Sequence, residues 1–145
     1  MSPLEKIERA FADVSGVDEM KSRVEMALAE DIPSFEIIQS MREGLSKAGR
    51  KYEEGEYFLS ELIMSGIMAQ ELSKMLKPYR QSSRDQFLGK VVIGTVKGDL
   101  HDIGKNLVSL MLSSAGFEII DLGVDVSREK FIEAVEKENP NIVGM

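Results

Sequence analysis

The chain has 145 residues, 43% of them hydrophobic and 30% charged, with a formal charge of −7, one histidine and no cysteine. This composition is neither disordered nor membrane-spanning, and the acidic balance argues against nucleic-acid binding, which needs clustered Lys and Arg to neutralise phosphates. Disulfides, thiolate metal sites and a cysteine nucleophile or methyl acceptor are excluded, as are zinc and non-haem iron sites built from several imidazoles.

No apolar run approaches the roughly 18 residues of a spanning helix, and Met1-Ser2-Pro3-Leu4-Glu5 lacks the regions of a signal peptide, so a cytoplasmic protein without a membrane partner is expected. Ser2, Pro3 and Glu5 form a capping-box start, and Leu4, Ile7 and Phe11 at helical spacing predict a short helix to about Asp13. Ser15-Gly16 breaks it. A second helix carries Met20, Val24, Ala27 and Leu28 on one face and ends before Asp31-Ile32-Pro33. From Ser34, the residues Ile38, Met41, Leu45 and Ala48 mark a third, stopped by Glu53-Glu54-Gly55.

The fourth helix, from about Leu59 to Leu76, is apolar around well over half its circumference, through Leu59, Leu62, Ile63, Ile67, Met68, Leu72, Met75 and Leu76. A helix apolar on more than one face must bury more than one. Four helices with short breaks predict a small bundle, and the surplus face predicts either a contact with the following domain or a cap over an apolar ligand, with Phe58 and Leu62 at its rim.

Lys77 to Asp85 is polar and carries Pro78, which predicts a linker at about 78–85 between domains 1–85 and 86–145. The pattern then changes to strand, helix, strand, helix, strand. Val91 to Val96 is a β-branched run suited to a strand buried on both faces. A helix from about His101 to Ser114, with Ile103, Leu107, Leu110 and Met111 as its apolar face, ends at Ala115-Gly116. Phe117 to Leu122 is the second strand. Ser127 caps a helix carrying Phe131, Ala134 and Val135, and Asn141 to Met145 begins a third strand. The alternation predicts a parallel α/β sheet. Such a sheet usually has about five strands, so the expectation is either a fragment, which a bare edge of Ile142, Val143 and Met145 favours, or completion by another chain.

In open α/β sheets ligands bind at the carboxyl ends of the strands, which is where Lys97 to Gly104 is delivered. Four readings compete there. A Walker A phosphate loop fits poorly, because five residues separate Gly98 from Gly104, Asn106 replaces Ser or Thr, and Asp99 and Asp102 would repel phosphate. A dinucleotide fingerprint fails on the spacing of Gly94, Gly98 and Gly104. Acid–base catalysis by His101 oriented by Asp99 lacks an accompanying nucleophile or second acid. The fourth is a single axial metal ligand, in which one ring nitrogen of His101 binds metal and the other donates to Asp99; it tolerates one His and no Cys because a macrocycle supplies the remaining ligands. A lone loop histidine can also be a plain surface or capping residue.

Asp99-x-His101-x-x-Gly104, within Gly94-Thr95-Val96-Lys97-Gly98-Asp99-Leu100-His101-Asp102-Ile103-Gly104-Lys105-Asn106, resembles the corrinoid-binding signature of cobalamin-dependent methyltransferase proteins. Asp121-Leu122-Gly123-Val124-Asp125-Val126 matches the second strand and turn of that family, and Gly55 to Leu62 is similar to its cap-domain segment. The resemblance spans nearly the whole chain and extends to the cobalamin-binding module of methionine synthase. It implies a four-helix cap followed by a Rossmann-like (flavodoxin-like) parallel-sheet domain truncated after the third strand, with the corrin ring sandwiched between them. Gly98, Asp99, Leu100, His101, Asp102, Ile103 and Gly104 would contact the cofactor, His101 as the axial ligand to cobalt and Asp99 as its hydrogen-bond partner, while Phe58 and Leu62 would lie near the methyl-bearing upper face. The family's Ser-x-Leu element would begin where this sequence ends, at Met145.

The function so implied is that of a corrinoid methyl carrier of a methylamine, methanol or methoxy-compound system rather than a stand-alone enzyme. Its partners would be a substrate-specific methyltransferase, a second methyltransferase acting on a pterin or thiol, and a reductive activase. Protonation of the Asp99–His101 pair would favour loss of the axial bond on reduction, and the Pro78–Asp85 segment would act as a hinge for the cap. The alternative is a corrinoid-binding sensor that transfers nothing.

Overall fold

The computed structural model describes residues 1–79 and 87–145. The chain divides into two compact units, Met1–Gln86 and Phe87–Met145. Of the linker expected at 78–85, Pro78 and Tyr79 lie in a 3₁₀ turn, Lys77–Tyr79, and the rest falls outside the described residues.

The first unit is helical: α1 Pro3–Ala12, α2 Val17–Ala29, α3 Ser34–Glu53 and α4 Leu59–Leu76. The starts of α1 and α4 have a local cause. Ser2 Oγ accepts the Glu5 N–H at 3.2 Å while the Glu5 carboxylate accepts the Ser2 N–H at 2.7 Å, the reciprocal capping box read from the sequence. Glu61 reaches back in the same sense to the Phe58 N–H, at 2.8 Å, and fixes the first turn of α4. The core joins all four helices through Ile7, Phe11, Met20, Val24, Ile37, Met41, Met68 and Leu72. Gly44 lets α1 and α3 approach closely, since a Cβ there would stand 2.6 Å from Phe11 Cβ.

Helix α4 divides its apolar residues between two faces. Met68, Ala69, Leu72 and Leu76 are buried, whereas Leu59, Ile63 and Ile67, spaced by four, form an exposed row that begins at Phe58, itself 75% exposed. Leu62 is partly buried between them.

The second unit runs β1 Lys90–Ile93, α5 Ile103–Ala115, β2 Glu118–Asp121, α6 Arg128–Glu138 and β3 Ile142–Gly144. The three strands are parallel in the order β2-β1-β3, with Val92 opposite Ile120 on one side and Val143 on the other. This is the order of the first three strands of a flavodoxin-like sheet. Its core is small: Val92, Val126, Phe131 and Ala134, with Ile120 and Leu122 packed against it.

Two expectations are corrected here. The first strand ends at Ile93 rather than Val96, because the chain beyond it leaves the ladder and makes only an isolated parallel bridge, Val96 to Val126. Strand β1 is buried as expected, β2 is half-buried, and Ile142 and Val143 of β3 are exposed, the bare edge expected from the sequence. The helix after the loop starts at Ile103 rather than near His101, and Ile103, assigned by periodicity to the buried face, is 84% exposed.

Candidate functional site

Strand β1 is the central strand, so the loop that follows it emerges in the middle of the carboxyl edge of the sheet. Backbone bonds seat its first half against the loop after β2: Leu122 N–H to Ile93 O at 2.8 Å, Thr95 N–H to Gly123 O at 3.0 Å and Val126 N–H to Thr95 O at 2.9 Å. The chain then turns sharply, with the Asp99 N–H on the Val96 carbonyl at 3.0 Å and Gly98 at φ +88°, a left-handed position suited to glycine. From Asp99 to Asp102 it stands outside the sheet, and Asp102 is the N-cap of α5, its carbonyl accepting the Asn106 N–H at 2.8 Å.

Two bonds converge on one oxygen in this exposed segment. Asp99 Oδ1 accepts the His101 backbone N–H at 2.9 Å and faces His101 Nδ1 at 2.8 Å. These bonds, the backbone one foremost, hold the Asp99 carboxyl below its ordinary range. An ionised carboxylate can only accept, so Nδ1 is the donor in the Asp99–Nδ1 bond, and in the neutral imidazole it is then Nε2 that carries the lone pair. The His101 side chain is 98% exposed, and its neighbours Leu100 and Ile103 are exposed apolar residues.

The competing chemistries separate on this geometry. Lys105, the lysine of the Walker-like match, is turned away from the loop: its side chain is 7% exposed and Nζ donates to Asp121 Oδ2 at 2.6 Å and to Asn106 Oδ1 at 2.7 Å. It therefore offers no free ammonium to a phosphate. Among the described residues no group of three or more His, Asp or Glu could hold a metal ion by itself. An exposed imidazole in a segment that also exposes Leu100 and Ile103, without a cluster of further ligands among the described residues, suits a metal that arrives inside a macrocycle and needs one axial donor.

Gly98, Asp99, Leu100, His101, Asp102, Ile103 and Gly104 thus share one loop and helix start, while Phe58 and Leu62 belong to the helical unit, at the head of the exposed row on α4. Sequence reasoning assigned no role to Thr95, Lys105, Asp121 or Asp125. A lysine in the first turn of a helix opposes the helix dipole, a signal that Lys105 needed an acidic partner. Nothing local marks Asp125, whose bond to the loop spans 27 residues.

Residues 89–145 match a B12 binding domain family, and residues 16–77 match a second B12 binding domain family. A corrinoid protein of Desulfitobacterium hafniense is 33% identical over 99% of this chain and 68% of its own length. The chain belongs to the corrinoid proteins. Another relative, a dimethylamine corrinoid protein of Methanosarcina acetivorans, is 39% identical over 84% of this corrinoid protein and 57% of its own length. Among solved structures, the methanol:cobalamin methyltransferase complex from Methanosarcina barkeri aligns with a TM-score of 0.85 and 29% identity, covering 98% of the chain and 55% of the matched one. The chain therefore spans between 57% and 68% of the curated relatives. No helix among its described residues is long and apolar enough to cross a membrane.

Proposed function

We propose that this chain is the corrinoid-holding part of a cytoplasmic methyl-carrier protein, which takes a methyl group from a substrate-specific methyltransferase and delivers it to a second methyltransferase. The observation that carries this reading is the Asp99–His101 pair, with Nδ1 held at 2.8 Å and Nε2 free. When bound, the corrinoid supplies a cobalt centre able to accept and donate a methyl group. The work of the chain is to bind that group through His101 Nε2, to fix the imidazole tautomer through Asp99, and to present Leu100 and Ile103 as apolar contacts beside the ligand. Within the helical unit, Phe58 and the row on α4 offer an exposed apolar surface. The names of the relatives support methylamine or methanol as the class of methyl source. A pterin- or thiol-directed acceptor enzyme and a reductive activase complete the proposed set of partners.

The test is reconstitution with hydroxocobalamin, followed by the visible spectrum and a methyl-transfer assay with candidate partners. Wild type is expected to retain the corrinoid with a histidine-ligated spectrum, and His101→Ala to lose that spectrum. A wild-type protein that retains no corrinoid would overturn the reading. Retention of corrinoid without methyl transfer to or from any partner would replace the carrier with a corrinoid sensor.

A further inference from the structure

The loop that presents His101 is held by two side chains outside the D-x-H-x-x-G signature. Thr95, buried just beyond the end of β1, uses its hydroxyl twice: Oγ1 donates to the Asp99 carbonyl at 2.6 Å and accepts the Asp125 N–H at 3.0 Å. Asp125 grips the same turn from the loop after β2. Its N–H also reaches the Asp99 carbonyl, at 3.0 Å, and its Oδ1 accepts the Gly98 N–H at 2.7 Å. Gly98 and Asp99, the two residues leading into Leu100 and His101, are thereby fixed on both sides.

The backbone of Asp125 points the same way. It sits at φ +52°, a left-handed conformation unfavourable for most L residues and tolerated by Asp, and this conformation accompanies the bonds that its N–H and carboxylate make to the His101 loop. The segment beyond Asp99 is exposed, with the His101 side chain almost entirely so, and it has little packing of its own to fix it.

We infer that Thr95 and Asp125 are positioning residues for the axial histidine: they hold the backbone of Asp99, and Asp99 holds the imidazole. The inference rests on the corrinoid reading for its consequence, because what they set is the fraction of corrinoid ligated by His101. The ligand itself remains when either is replaced. Thr95→Val removes both hydroxyl bonds at nearly constant volume, and Thr95→Ser restores the hydroxyl. Asp125→Gly keeps access to the left-handed backbone and removes only the carboxylate bond to Gly98, whereas Asp125→Asn keeps an acceptor there.

The experiment has two readouts on the full chain. After loading with hydroxocobalamin, the visible spectrum gives the ratio of histidine-ligated to histidine-free corrinoid. Without corrinoid, amide hydrogen exchange at Gly98 and His101 reports the loop directly. Thr95→Val and Asp125→Gly are expected to lower the ligation ratio and accelerate these amides by about fivefold, the factor of one ordinary hydrogen bond, while the Ser and Asn variants stay within about twofold of wild type. Wild-type ratios and exchange in both Thr95→Val and Asp125→Gly would overturn the inference, as would equal losses in the conservative variants. Asp125→Gly alters an exposed loop and tests the proposal even if Thr95→Val folds poorly. If wild type itself shows no histidine ligation, the corrinoid reading fails, and hydrogen exchange still decides whether the two side chains hold the loop.

Discussion

Lys105 of α5 and Asp121 of β2 form a 2.6 Å ion pair in which the lysine is almost wholly buried and the aspartate half-open to solvent. The pair ties the first turn of α5 to the carboxyl end of β2 and compensates a cation placed at the positive end of a helix. Asp121 Oδ1 also takes the Gly123 N–H at 2.8 Å, so the same side chain shapes the turn that receives Thr95.

Lys105→Met should therefore destabilise the α/β unit by about 1–2 kcal/mol, less than a fully buried pair would give because Asp121 retains solvent. Burial raises the Asp121 pKa, but the Lys105 ammonium and the Gly123 N–H outweigh it and the net direction is downward. A carboxyl depressed in the folded state stabilises above its unfolded pKa and loses that contribution as pH falls through the folded one. Urea denaturation is expected to show the difference between wild type and Lys105→Met at neutral pH, shrinking below the ordinary aspartate range.

Gly44→Ala probes the contact between α1 and α3. Its Cβ would overlap the Glu8 carbonyl and lie 2.6 Å from Phe11 Cβ, both parts of the neighbouring helix that cannot swing aside. Although alanine is the better helix former, overpacking should dominate, with a loss of about 1–3 kcal/mol in thermal or urea unfolding of the helical unit.

Tyr57 closes the turn between α3 and α4 onto α1: its hydroxyl donates to the Ala12 carbonyl at 2.9 Å and Lys51 Nζ lies 3.2 Å from it. Tyr57→Phe is expected to cost about 1 kcal/mol. Nearby, Lys51 and Arg9 hold the Asp13 carboxyl below its ordinary range. By the same sign rule Asp13→Asn should be less stable than wild type at neutral pH, by a few tenths to about 1 kcal/mol for this exposed site, and the gap should close in acid.

Phe58→Ser and Ile63→Gln alter the exposed row on α4 without touching the core. Stability should change by no more than about 0.5 kcal/mol. Urea denaturation of both variants is the measurement that checks this.

The helices were legible where periodicity and breakers agree: Glu53-Glu54-Gly55 ends α3, and α4 occupies Leu59–Leu76 as read. The surplus apolar face of α4 was legible too, since eight apolar residues in one helix exceed what one face can bury. The length of β1 was not, because β-branched residues continue through Thr95 and Val96 while the ladder stops at Ile93. Periodicity assigned Ile103 to a buried face, but it reports which residues share a side of a helix and not whether anything covers the first turn. Asp99 beside His101 could be paired from a spacing of two. The grip of Thr95 and Asp125 could not, since it joins residues 30 apart whose proximity exists only once β1 and β2 are side by side.

That last dependence has a consequence for how the cofactor is captured. The turn at Gly98 and Asp99 is assembled by hydrogen bonds within residues 95–125, all formed by the protein itself. Its conformational entropy is surrendered during folding, and arrival of the corrinoid need not order it again. Capture should then be limited by encounter and by exchange of the ligand already on the metal, with a heat-capacity change reporting buried apolar surface and little contribution from loop ordering.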